Sequence, residues 1–294
     1  METTMHIRAG FELIYNCHAK TPMILSLSVH PSRVSDMETP DTIYVSPDIR
    51  SSRFMDIHGN ICTRLVAPAG PITLSADFVV WDSGEADPVR PDARQVPIEE
   101  LPEEALLYLL ASRYCEVDRM TPLALSLFGS TKPGWERVQA IVDYTHQRIA
   151  FGYGHARPTR TAWEAHEERV GVCRDFAHLA VTLCRCMNVP ARYCAGYLGD
   201  IGVPPMDSPM DFSAWFEAYI GDEWMTFDAR HNTPRIGRIP MARGRDATDV
   251  AITTAFTPID LIQFKVITEE CQFQPASAYE ADTGERPRRL SGLA

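Results

Sequence analysis

The hydrophobic period of this chain changes once along its length, and that change limits the fold more than any other feature. Up to about Trp81 the spacing is that of strands: Leu25, Leu27 and Val29 face one way, Ser26 and Ser28 the other. Within Phe54 to Val66, His58-Gly59-Asn60 separates two strand-like runs and supplies residues that tolerate a tight reversal, so the stretch reads as a hairpin. Ile72 to Trp81 adds a run rich in β-branched and aromatic residues. Together these segments predict a small antiparallel sandwich. Between Asp82 and Pro97 the chain gains Pro88, Pro91 and Pro97, a composition that cannot continue a helix and suits a surface connection. Beyond it the period is helical, first over Glu103 to Cys115 and then from Pro133, where Trp135, Val138, Ile141, Val142 and Ile149 recur. Pro133 suits a first helical turn. The expected division is a β-rich domain over residues 1–97, a second domain over 98–276, and a loose polar tail over 277–294.

A length of 294 residues suits two modest cores, and a 45% hydrophobic composition can fill them. The net charge of −11 would repel a phosphate backbone, which excludes nucleic acid as an expected partner. Residues 1–17 hold Glu2, His6, Arg8 and Glu12 without an apolar run, and no later stretch reaches membrane-spanning length. The expectation is a cytoplasmic protein with no membrane partner. Its eight cysteines form no CxxC pair and read as free thiols. Cys184, Cys186 and Cys194 lack ligand spacing, and no Gly-rich phosphate loop is present, so neither metal nor cofactor is expected.

The segment Thr161 to Leu198 carries the chemistry. Thr161 and Glu164 have capping-box spacing and open a short helix, which Gly171 interrupts before Val172-Cys173-Arg174-Asp175. Phe176, Ala180, Leu183 and Met187 then share one helical face, Asn188-Val189-Pro190 ends it, and Tyr193 to Leu198 reads as a buried strand. Cys173 therefore falls at a helix N-terminus, where unpaired N–H groups and the helix dipole favour a thiolate. The same N–H groups could donate to an oxyanion. Against this stands the ordinary role of a free cysteine as a small buried apolar residue. Downstream, Ser213 to Ile220 alternates as a strand, Gly221-Asp222-Glu223 turns, and Trp224 to Asp228 returns.

Gly171-Val172-Cys173, Val189-Pro190-Ala191-Arg192, Gly196-Tyr197, Ala214-Trp215 and Phe227-Asp228 follow the order and spacing of the transglutaminase-like superfamily, which this chain resembles. The resemblance implies an α+β, papain-like core preceded by a β-sandwich-like N-terminal domain. It further implies Cys173 as nucleophile, a histidine base directly before Ala214-Trp215, and Asp228 as the acid that orients it. Ser213 stands in the histidine's place, and a serine cannot take a proton near neutral pH as imidazole does. Three readings stand open. His231 swings back from Asp228-Ala229-Arg230-His231 to serve as base; His155 or His166 fills the role; or hydrolysis is lost and the fold serves as a binding or scaffolding module. The leading expectation is thiol-dependent acyl chemistry on an amide of a protein or peptide, protease, amidase or transglutaminase in type, with Cys173, Asp228 and His231 as catalytic residues.

Neighbouring residues take simpler expectations. His178, five residues past Cys173, is rotated away from the thiol and should pack. Arg174 and Asp175 read as solvated or capping groups. Trp163 and Trp215 belong to the core or wall an acyl groove. Arg230, Arg235, Arg238, Arg243 and Arg245 read as a solvated basic surface or a patch for an acidic partner.

Overall fold

In the computed structural model, residues 5–205 and 210–273 are described. The N-terminal part forms strands β1 (Met5–Cys17), β2 (Thr21–Leu25), β3 (Tyr44–Ser46), β4 (Ser51–Met55), β5 (Ile61–Ala67) and β6 (Gly70–Asp82). Along β6 the alternation in sequence becomes alternation in burial, with Ile72, Leu74, Ala76, Phe78 and Val80 all inside. β4 and β5 make the expected hairpin. Its turn is tied by Asp56, whose Oδ1 accepts the N–H groups of His58 and Asn60, while Gly59 takes the positive φ of +81° that the reversal needs.

The second part contains α1 (Glu103–Leu106), α2 (Val117–Phe128), α3 (Trp135–Arg148), β7 (Ala150–Phe151), α4 (Ala162–Glu168), β8 (Val170–Gly171) and α5 (Cys173–Cys186). These are followed by β9 (Ala191–Tyr197), β10 (Ser213–Ile220), β11 (Glu223–Phe227), β12 (Ile239–Gly244), β13 (Thr253–Ala255) and β14 (Ile259–Cys271). One antiparallel sheet of order β11-β10-β9-β12 carries α5 on its face, and α2, α3 and α4 pack around α5. Phe176, Leu179, Leu183, Phe216 and Ala218 meet in the resulting core.

Several elements differ from the sequence reading. The helix expected over Glu103 to Cys115 stops early, with a 3-10 turn at Leu107–Leu109. The Leu110 carbonyl and the Ser112 hydroxyl are taken by the buried Arg185 guanidinium, and Ser112 and Cys115 close a tight turn instead of continuing the helix. α3 starts at Trp135 rather than at Pro133. Gly134 caps it at φ +105°, where a Cβ would lie 2.2 Å from the Ala93 carbonyl oxygen. The largest difference concerns the end of the chain. β13 pairs with β2 and β14 with β1, so strands from the stretch assigned to residues 98–276 complete the N-terminal sheets β14-β1-β6-β3 and β13-β2-β5-β4. The two sheets share one core, in which Phe11, Met23, Leu65 and Phe78 meet. The tail expected over 277–294 lies outside the described residues. Among the described residues no helix is long and apolar enough to cross a membrane.

Candidate active site

Cys173 is placed by short-range rules. Thr161 caps α4 in a reciprocal capping box with Glu164, and Arg169 ends it in the left-handed region at φ 59°. β8 then runs parallel to β7 for two residues and delivers Val172 as the N-cap of α5. Asp175, at the third helical position, turns back so that its Oδ2 accepts the Val172 N–H at 2.9 Å. That carboxylate is fully buried and paired with Arg160 at 3.0 Å, whose guanidinium also donates to the His155 carbonyl at 2.6 Å and to Glu168 at 3.0 Å. A Cβ on Gly171 would lie 2.7 Å from the Asp175 Cβ, so only glycine leaves room for the cap.

The Cys173 side chain is partly exposed and packs against a cluster containing Ala177, Tyr193, Ala195 and Ala214. Burial pushes its thiol up to about 11; Arg230 opposes the rise, Asp211 adds to it, and the Ala214 backbone N–H opposes it. Desolvation of the sulphur thus works against the thiolate that a helix N-terminus favours. Ser213 begins β10 beside Ala214, buried, and faces Gly196 of β9 in register.

Asp228 follows directly on β11 and is buried. Its Oδ1 accepts the N–H groups of Arg230 and His231 at 3.0 Å each. Its Oδ2 accepts His231 Nδ1 at 2.9 Å and Arg238 Nη2 at 2.9 Å. Burial alone would raise this carboxyl, but the Arg238 charge and the His231 bonds hold it well below the usual carboxylate range. The turn that carries His231 is anchored on α3: His146 Nδ1 donates to the Arg230 carbonyl at 2.9 Å, and Asn232, at φ 52°, donates to Asp143 at 3.0 Å.

The structure thus joins His231 to Asp228, but no histidine among the described residues hydrogen-bonds the Cys173 sulphur. His155 is exposed beside Gly152. His166 is buried against Tyr144 and Arg148. His178 packs as expected, stacked on Tyr114 and accepting the Ala247 N–H at 3.1 Å; burial lowers its imidazole to about 3. Asp175 is a buried cap rather than a solvated group. The basic stretch is not a solvated surface either. Arg235 and Arg238 are 4% and 7% exposed, and Arg238 spans Asp87 at 2.8 Å and Asp228, with its guanidinium over the Trp215 ring. Arg243 is paired with Glu217 at 2.9 Å. Sequence reasoning missed Arg238 as a partner of the site. The available signal was a run of arginines close after Asp228 in an acidic chain, where buried carboxylates need cations.

All eight cysteines are free. Among the described residues no group of three or more histidine, cysteine, aspartate or glutamate side chains is placed to hold a metal ion.

Comparison with known proteins agrees with this architecture. Residues 122–229 match the family model of the transglutaminase-like superfamily. The crystal structure of a "Putative Cysteine Protease" from Cytophaga hutchinsonii is similar over 93% of both chains, with a TM-score of 0.80 and 28% identity. An uncharacterized protein of Mycobacterium leprae is 26% identical over 219 residues, which span 70% of this chain and 75% of that protein. With a cysteine at the start of the central helix and an aspartate at the end of the following hairpin, the core of this chain resembles the transglutaminase-like superfamily, whose family model it matches over residues 122–229.

Proposed function

We propose that this chain handles amide-bearing proteins or peptides by thiol-dependent acyl chemistry at Cys173, and that the resting site is impaired because its sulphur stays protonated at neutral pH. The observation that carries the reading is the pairing of a thiol at about 11 with Ser213 in the position of the base. A thiol held that high is overwhelmingly protonated at pH 7. The remaining parts suit the chemistry. A thiolate at Cys173 would add to the amide carbonyl, forming a C–S bond, with the oxyanion facing the N–H groups of the first turn of α5. Collapse would expel the amine with a proton and leave an acyl-enzyme, released to water by a protease or amidase and to an amine by a transglutaminase. A cytoplasmic setting fits the free thiols.

The 2.9 Å contact between His231 and Asp228 favours a second reading, in which this pair supplies the base after substrate closes the site. Iodoacetamide labelling of Cys173 against pH, read by peptide mass spectrometry in the parent and in His231→Ala, separates the two. The impaired reading expects labelling to rise only towards pH 11 in both proteins. Fast labelling near pH 6 that slows in His231→Ala would replace it with the His231 reading.

A further inference from the structure

The N-terminal sandwich is closed unequally along one flank. Its two sheets end there in β14, thirteen residues long, and β13, three residues long, so the shorter strand cannot cover the inner face of the longer one. Leu261 and Phe264 stand opposite the buried Tyr15 and Leu13 of β1, on the side of the shared core, yet they remain 54% and 37% exposed. Between them the register slips at Ile14/Tyr15, which leaves Ile262 as an extra residue in β14 with 64% of its surface exposed.

The bulge spoils the outer edge of β14 as a template for a further strand, so this flank offers a partner side chains rather than a ladder of backbone groups. In chain order they are Asp260, Leu261, Ile262, Gln263, Phe264 and Lys265, an acid at one end, a base at the other and apolar groups between. Asp260 meets His18 at 2.7 Å and keeps 59% of its side chain exposed, and Lys265 is exposed as well. Such a stretch is complementary to itself when turned end for end. A two-fold axis between positions 262 and 263 sets each Asp260 against the partner's Lys265 and each Leu261 against the partner's Phe264, so both charges are met and the apolar surface is covered.

We propose that this flank is a self-association surface, joining two copies of the chain antiparallel along residues 260–265. A single stretch of strand buries less than the roughly 800 Å² per partner of a standard interface, so the dimer is reversible and forms with rising concentration. The surface adjoins the core sheet, because Phe264 lies edge-on to Phe212 at 5.7 Å and Phe212 directly precedes Ser213. The association does not depend on the acyl chemistry at Cys173.

Sedimentation velocity of the full chain between about 1 and 200 µM tests this. The parent shifts from one-chain to two-chain mass across that range. Ile262→Asp, an exposed change, stays at one-chain mass at every concentration. Lys265→Asp sets acid against acid and weakens association at least about tenfold, and adding Asp260→Lys to it, which re-forms the pair in reversed order, brings the parent's concentration dependence back. A parent at one-chain mass throughout overturns the proposal. So does a dimer that Ile262→Asp leaves intact, which places the contact elsewhere, and so does a double variant that associates no better than Lys265→Asp alone.

Discussion

The two corners of the site are built differently. At the nucleophile corner, the contacts that set the backbone at Cys173 are short-range and mutually supporting: Gly171 makes room for Asp175, Asp175 caps Val172, and Arg160 neutralises Asp175. At the base corner, a fully formed carboxylate site at Asp228 is occupied by Arg238 and His231, and the strand position expected to carry an imidazole holds Ser213. The scaffold of the nucleophile depends on backbone geometry and buried charge. The base depends on the identity of one side chain, which can change without disturbing the fold. Such a protein can keep the shape of its site and lose the proton acceptor.

The contrast between the corners breaks first if Arg238 proves dispensable. Replacing it by Met leaves the buried Asp228 and the half-buried Asp87 without their shared cation, and urea unfolding should show a loss of about 3–5 kcal/mol. Stability equal to the parent would mean that the base corner is not held by this charge network. Gly171→Ala tests the other corner. Its Cβ must displace the Asp175 cap, which should cost about 1–3 kcal/mol by the same measurement. A smaller and more specific effect concerns acid. Asp228 has a native carboxyl held below its unfolded value, so its contribution is complete above the unfolded pKa of about 3.9 and is lost as pH falls below that value towards the native one. Urea midpoints taken from pH 5 downwards should therefore fall more steeply in the parent than in Arg238→Met, where the depression is relieved. Equal slopes would assign the acid sensitivity to other carboxylates. The smallest effect expected is that of Ser213→Ala, within about 0.5–1 kcal/mol, because the hydroxyl supports neither corner.

Much of this was legible in the sequence where the determinants are local. The capping box at Thr161, the glycine before the cysteine, the hairpin turns at His58-Gly59-Asn60 and Gly221-Asp222, and the start of α5 all follow from residues within one turn of each other. The pairing of β14 with β1 was not legible, because its partners stand about 250 positions apart and nothing in the Ile259–Cys271 strand names its neighbour. The same holds for Arg238. A guanidinium in a basic stretch looks solvated until the fold brings Asp87, from the connection, and Asp228, from the hairpin, against it. The burial of the Cys173 sulphur was not legible for a related reason: the helix N-terminus is visible in sequence, whereas the packing of Tyr193, Ala195 and Ala214 around the sulphur is tertiary.

The central claim is that burial keeps Cys173 a thiol and that position 213 holds no imidazole to offset it. It is tested most directly by the iodoacetamide labelling rate of Cys173 at pH 7 in the parent, in Ser213→His and in Ser213→Ala as a control. The account predicts slow labelling in the parent and the alanine control, and a rise of at least about tenfold in Ser213→His as a thiolate–imidazolium pair forms. Fast labelling at pH 7 in the parent, unchanged by histidine at position 213, would contradict it.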